Sequence, residues 1–135
     1  MIWRLPYVVV YTKDTMAKIA IIEDDQAIAQ MYRFKFEANG DQVQTAENGQ
    51  LGLQLIEHFK PDMVLLDLMM PIMTGEEMLS ALRKQPWGEK IKVIILTNRG
   101  EQEMPPEIKQ LGVTAVILKA DMTPRQVAEL VKQHL

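Results

Sequence analysis

The sequence predicts an α/β domain: an open, doubly wound parallel sheet of five strands with helices on both faces. Three observations carry this expectation. Short apolar runs rich in Ile, Val and Leu alternate five times with helix-period segments. The connections are short, and right-handed crossovers leave few other arrangements for roughly 120 residues. Only five such units exist, too few for an eight-unit barrel.

Each element has its own signal. KIAIIE, residues 18–23, is a run suited to a strand buried on both faces. Residues 25–39 carry Ala27, Ile28, Met31, Tyr32, Phe34, Phe36 and Ala38 at mixed i+3/i+4 spacing, an amphipathic helix stopped by Gly40. Residues 41–46 alternate weakly, as an edge strand does, and Asn48-Gly49 turns the chain into a helix closed by Pro61-Asp62. Residues 63–66 form a third strand ending at Asp67. Pro71 interrupts the next loop, and Thr74 with Glu77 is a capping box for a helix through residue 84. Residues 91–96 are the fourth strand. A short helix opened by Pro105-Pro106 and stopped by Gly112 precedes the fifth strand, residues 115–118. Thr123-Pro124 then starts the last helix.

Composition excludes several classes of function. The 135 residues allow one compact domain, and 47% apolar against 24% charged residues is the balance of a folded chain. Aromatics are 6%, so the core rests on Ile, Leu, Val and the ten Met. Fifteen basic against eighteen acidic residues give a net charge of −3, which argues against direct DNA binding. The absence of Cys removes disulfides and thiolate chemistry, and two His, His58 and His134, cannot build a histidine-rich metal site. No apolar run approaches the ~20 residues of a membrane span. The run from Tyr7 to Tyr11 is too short for a signal-peptide core, so no membrane contact and a cytoplasmic location are expected. Residues 1–15 read as an N-terminal extension, disordered or appended, with a docking arm as the alternative. The domain proper is expected to span residues 16–135 and to fold without them.

The chemistry lies at the strand ends. Strand one ends in Glu23-Asp24-Asp25, strand three in Asp67, strand four in Thr97 and strand five in Lys119. A parallel sheet places these ends along one edge, where open α/β folds bind ligands. Clustered carboxylates repel unless a proton or cation relieves them, and an oxygen-only set favours a hard ion such as Mg²⁺. A lysine and a threonine nearby add donors for an anion, which together is what phosphoryl transfer to a carboxylate requires.

These residues identify a resemblance. The chain from residue 16 to 135 resembles the receiver domain of two-component response regulators, through IIEDD (21–25), VLLDLMMPIMTG (64–75), VIILTN (93–98) and LK (118–119). The resemblance implies a flavodoxin-like strand order of 2-1-3-4-5 and a stand-alone phosphoacceptor switch. It would assist its own phosphorylation and dephosphorylation rather than act as an enzyme on another molecule. Asp67 would take the phosphoryl group from a histidine kinase or phosphotransfer protein. Thr97 would bind a phosphoryl oxygen and Lys119 would pair with the phosphate. Asp24, Glu23, Asp67 and the Met69 backbone carbonyl would hold Mg²⁺, and the phosphorylated form would change its affinity for a downstream protein. Asp25 is read as a helix cap.

The chain also departs from that pattern. Ala120 follows Lys119 where receivers usually have Pro, often after a cis bond; a non-proline cis bond costs about 2.5–4 kcal/mol, which leaves trans open. Val116 stands where many receivers carry a switching aromatic, and Pro105-Pro106 shortens the fourth helix. Met69 and Arg99 flank the approach to Asp67 without offering a strong acceptor to orient water, so a long-lived phosphoryl group is expected. Met69, Met70, Met73 and Met78 are read as loop and core packing rather than a soft-metal site. Two other functions are weighed: a pseudo-receiver that binds proteins without phosphorylation, and an Mg²⁺-dependent phosphatase. The second would need an acid two places after Asp67, where Met69 stands.

Overall fold

Strands β1 (Lys18–Ile22), β2 (Gln42–Ala46), β3 (Met63–Asp67), β4 (Val93–Thr97) and β5 (Ala115–Leu118) form one parallel sheet of order β2-β1-β3-β4-β5, as expected. The computed structural model describes residues 17–98 and 104–135, so the extension 1–15 and Arg99 lie outside the described residues. Helices α1 (Gln26–Ala38), α2 (Gly49–Phe59), α3 (Gly75–Arg83), α4 (Pro106–Gln110) and α5 (Pro124–Gln133) connect and follow the strands. No described helix is long and apolar enough to cross a membrane.

Strand alternation divides the core in two. Ile19, Ile21, Met63, Leu65, Ile94, Leu96 and Ile117 point to one face, where Tyr32 and Phe36 of α1 and Val127 and Val131 of α5 cover them. Ala20, Ile22, Val64, Leu66, Val93 and Ile95 point to the other, under Ile56 of α2, Met78, Leu79 and Leu82 of α3, and Ile108 of α4. Every residue of β3 and β4 is buried, which is why both read as unbroken apolar runs. The β2 edge keeps polar Gln42 and Gln44 in water.

Two expectations need correction. The fourth strand starts at Val93 rather than Ile91, because β3 offers Val64 as the first partner of Val93. Ile91 instead packs at the border of the core. In α1, Met31 and Phe34 are not core residues: Phe34 is 77% exposed, and the covered stripe is Ala29, Tyr32 and Phe36. Of the four clustered Met, Met70 and Met78 are buried and Met73 packs against the core, but Met69 is exposed.

The caps sit where the sequence places them. Asn48 accepts from Leu51 N at the start of α2, and Thr74 and Thr123 each form a capping box, with Glu77 and Gln126. Helix α4 is short, opening on Pro105-Pro106 and followed by Gly112 at φ 71°. Gly75 is required by close approach: a Cβ there would lie 2.1 Å from the Asp67 carbonyl oxygen. Helix α3 therefore starts hard against the end of β3, and Gly75 N donates to Leu68 O at 3.0 Å. Among the described residues every peptide bond is trans, including Lys119–Ala120.

Candidate functional site

Strand register assembles the site. Ile22 pairs with Leu66, Asp67 with Leu96, and Thr97 with Leu118. Glu23, Asp67, Thr97 and Lys119 thus stand side by side on the C-terminal edge, each at or one step past a strand end. Glu23, Asp67 and Thr97 are buried, Lys119 is half-buried at the start of a 3-10 turn, and Asp24 is exposed.

The contacts are short. Lys119 Nζ lies 2.6 Å from Glu23 Oε1 and 3.5 Å from Asp67 Oδ1. Met69 N–H donates to Asp67 Oδ1 at 3.4 Å, and Asp25 N–H to Glu23 Oε2 at 3.3 Å. The Asp25 side chain accepts from Ala27 N and Ile28 N, so it caps α1 as expected. Sequence reasoning paired Lys119 with phosphate alone. It missed that the tightest partner of this ammonium is Glu23, a pairing that two residues so far apart in sequence do not signal.

Two buried carboxylates, Glu23 and Asp67, face one ammonium, and the proton affinities of these two record it. Burial pushes Glu23 from 4.5 up to about 7, with Asp67 adding repulsion against the opposing pull of Lys119. Burial also raises Asp67 above its ordinary 3.8, against the lowering influence of Glu23, Lys119 and the Met69 amide. Burial alone would lower Lys119; its hydrogen bond to Glu23 and the charge of Asp67 outweigh that and raise it. Oxygens of Glu23, Asp24 and Asp67 all lie within 4.8 Å of one another. A compact, surplus-negative donor set of carboxylate oxygen alone fits a hard divalent cation such as Mg²⁺.

The loop from Asp67 to α3 forms the rim. Its Met73 carbonyl accepts from Gly49 N at 3.2 Å, which ties it to the start of α2. A Cβ at Gly49 would meet Met73 at 2.8 Å, so the Asn48-Gly49 dipeptide serves this junction as well as the turn. Ile72, in the same loop, has φ 68°, a left-handed conformation that costs a non-glycine residue about 1–2 kcal/mol. Nothing in the sequence reading anticipated it.

Fold and rim define a doubly wound α/β protein with an acidic sheet-edge site. The family model described as the response regulator receiver domain matches residues 19–132, and the chain belongs to that family. Similar proteins include sporulation initiation phosphotransferase F of Bacillus subtilis, 35% identical over 87% of this chain and 93% of its own length. The phosphate regulon transcriptional regulatory protein PhoB of Rhizobium meliloti is 31% identical over 85% of this chain. The chain spans about half of that relative, 51%. Among solved structures, the chemotaxis response regulator CheY4 of Vibrio cholerae superposes with a TM-score of 0.81 at 28% identity, covering 89% of this chain and 99% of that one. A receiver domain implies contact with a histidine kinase or a phosphotransfer protein.

Proposed function

We propose that this chain is a phosphoacceptor switch. Asp67 receives a phosphoryl group from the phosphohistidine of a kinase or phosphotransfer protein, and the modified form binds a downstream protein with altered affinity. The observation that carries this reading is the Asp67 carboxylate itself: its side chain is 7% exposed, 3.5 Å from the Lys119 ammonium, and grouped with the Glu23 and Asp24 oxygens.

In the transfer, an Asp67 oxygen attacks phosphorus as the phosphorus–nitrogen bond of the donor breaks. The bond's electron pair returns to the imidazole, and an acyl phosphate remains on Asp67. Lys119 neutralises charge on the phosphoryl oxygens by turning from Glu23, and the Thr97 hydroxyl donates to one of them. Glu23, Asp24, Asp67 and the Met69 carbonyl are the groups that would hold Mg²⁺, which supplies charge neutralisation for the incoming anion. The surplus of carboxylates over ammonium supports that requirement.

The test is incubation with phosphoramidate and Mg²⁺, followed by intact-mass measurement. Wild type should gain one phosphoryl mass, and should gain none in chelator. Asp67→Asn should gain none under either condition. Equal labelling of that variant would remove Asp67 from its role. A wild type that stays unlabelled with Mg²⁺ present would favour a pseudo-receiver.

A further inference from the structure

The methionines of the described residues fall into two groups. Met63, Met70, Met78 and Met104 are buried, and Met73 and Met122 pack against the core. Met69 and Met31 stand in water, 56% and 43% exposed. A thioether in water is open to oxidation, whereas a close-packed one is shielded from the oxidant by its neighbours. Met69 is the more exposed of the two, and it adjoins the reactive carboxylate: its own N–H donates to Asp67 Oδ1 at 3.4 Å.

What oxidation changes at this place follows from the functional groups. When hydrogen peroxide meets a thioether, a sulfur lone pair takes one oxygen and the O–O bond breaks. The departing hydroxide takes the proton of the transferred hydroxyl and leaves as water. Sulfur is oxidised by two electrons, peroxide is reduced, and a sulfoxide remains. The product exchanges a weak acceptor for an oxygen that accepts hydrogen bonds firmly, carried on the same flexible chain. Because the Met69 side chain already lies in water, the added oxygen disrupts no core contact. Buried Met70, its neighbour in sequence, would lose packing from the same change.

Building on the phosphoacceptor reading above, we propose that Met69 is a reversible oxidation site for hydrogen peroxide, and that its sulfoxide shortens the life of the phosphoryl group on Asp67. The oxygen gained at residue 69 orients a water toward phosphorus, a role the thioether leaves unfilled. Methionine sulfoxide reductases reverse the change, so the site makes the lifetime of the switch depend on peroxide.

In the test, the full chain is treated with dilute hydrogen peroxide until intact mass shows the first added oxygen, then freed of oxidant. It is labelled with phosphoramidate and Mg²⁺ and freed of donor. Intact mass follows the added oxygen and the phosphoryl group in the same molecule, and peptide mapping places the oxygen. Oxygen should appear first at Met69, and oxidised wild type should lose its phosphoryl group about threefold faster than untreated wild type. Met31→Leu should keep that response, while Met69→Leu should decay at one rate before and after peroxide. Methionine sulfoxide reductases A and B should restore the slow decay of wild type. The inference falls if peroxide spares Met69 while oxidising Met31, if oxidised wild type decays no faster than untreated, or if Met69→Leu keeps the full peroxide response. An untreated wild type that phosphoramidate does not label would instead sink the phosphoacceptor reading.

Discussion

The two edges of the sheet bury charge in opposite ways. At the N-terminal edge, the Arg83 guanidinium at the end of α3 donates to the carbonyls of Leu111, Gly88, Glu89, Ile91 and Gly112 at 2.6–3.3 Å. Burial lowers its proton affinity, yet this cation has neutral acceptors on several sides and no need of a mobile partner. It pins the α3–β4 and α4–β5 connections together. At the C-terminal edge two buried carboxylates share one ammonium with a third carboxylate close by, and the adjoining loop is strained at Ile72. One edge is closed upon itself; the other is left incomplete in charge and geometry. Stability and reactivity are thus held at opposite ends of the same strands, which fits the general tendency of functional sites to carry the unresolved tensions of a fold.

The largest effect expected from this contrast comes at the closed edge. Arg83→Ala leaves several carbonyls without their donor and should lower unfolding stability by about 3 kcal/mol in a urea titration at pH 7. Arg83→Lys should recover little of it, since an ammonium lacks the planar fork. A loss under 1 kcal/mol would mean that water replaces the guanidinium freely. At the open edge, Mg²⁺ at about ten times its dissociation constant should raise stability by about 1.4 kcal/mol, and Asp67→Asn should weaken that gain. An equal Mg²⁺ gain in Asp67→Asn would place the ion elsewhere.

A smaller effect concerns the rim. Met69→Asn puts a water-orienting amide where a thioether now stands, and should speed loss of the phosphoryl group about threefold in a time course of the labelled protein. Equal or slower decay would show that this side chain does not set the lifetime. The smallest effect is in acid. Thr74 N–H and the Thr74 hydroxyl donate to the Glu77 carboxylate and lower its pKa below 4.5. A lowered folded value contributes stability that is present above 4.5 and lost as pH falls through the folded value. Glu77→Gln should therefore slightly flatten the fall of thermal stability below pH 4.5; an unchanged acid limb would make the capping box electrostatically neutral.

Most of the fold was legible because strand burial is written in composition. MVLL and VIIL have no polar position to leave in water, and the residue that follows each run, Asp67 or Thr97, carries the chemistry. The rim residues Glu23, Asp67, Thr97 and Lys119 were legible for the same reason, once a parallel sheet was inferred. Their partners were not. Arg83 looks like any basic residue in the last turn of a helix, and its carbonyls come from two separate stretches of chain, 88–91 and 111–112. Phe34 satisfies a helical period as well as Phe36 does, and only the covering elements decide which of them is buried. Ile72 carries no glycine or asparagine signal for its positive φ; the turn is imposed by Gly75 against Asp67 and by the Gly49–Met73 bond.

The division of the core into two faces has a consequence during synthesis. The half facing α1 and α5 joins the earliest described helix to the last: Tyr32 and Phe36 share a cluster with Val127, Ala128 and Val131. β1 lies between β2 and β3, so it gains both neighbours early, while the apolar face it shares with α1 waits for α5. On a ribosome that adds about 5–20 residues each second, this face stays partly uncovered for several seconds while the chain between α1 and α5 is made. The opposite face is covered sooner, by α2 and α3. Chaperones and aggregation compete for the first half-core rather than the second, and slowing translation between α1 and α5 lengthens that exposure.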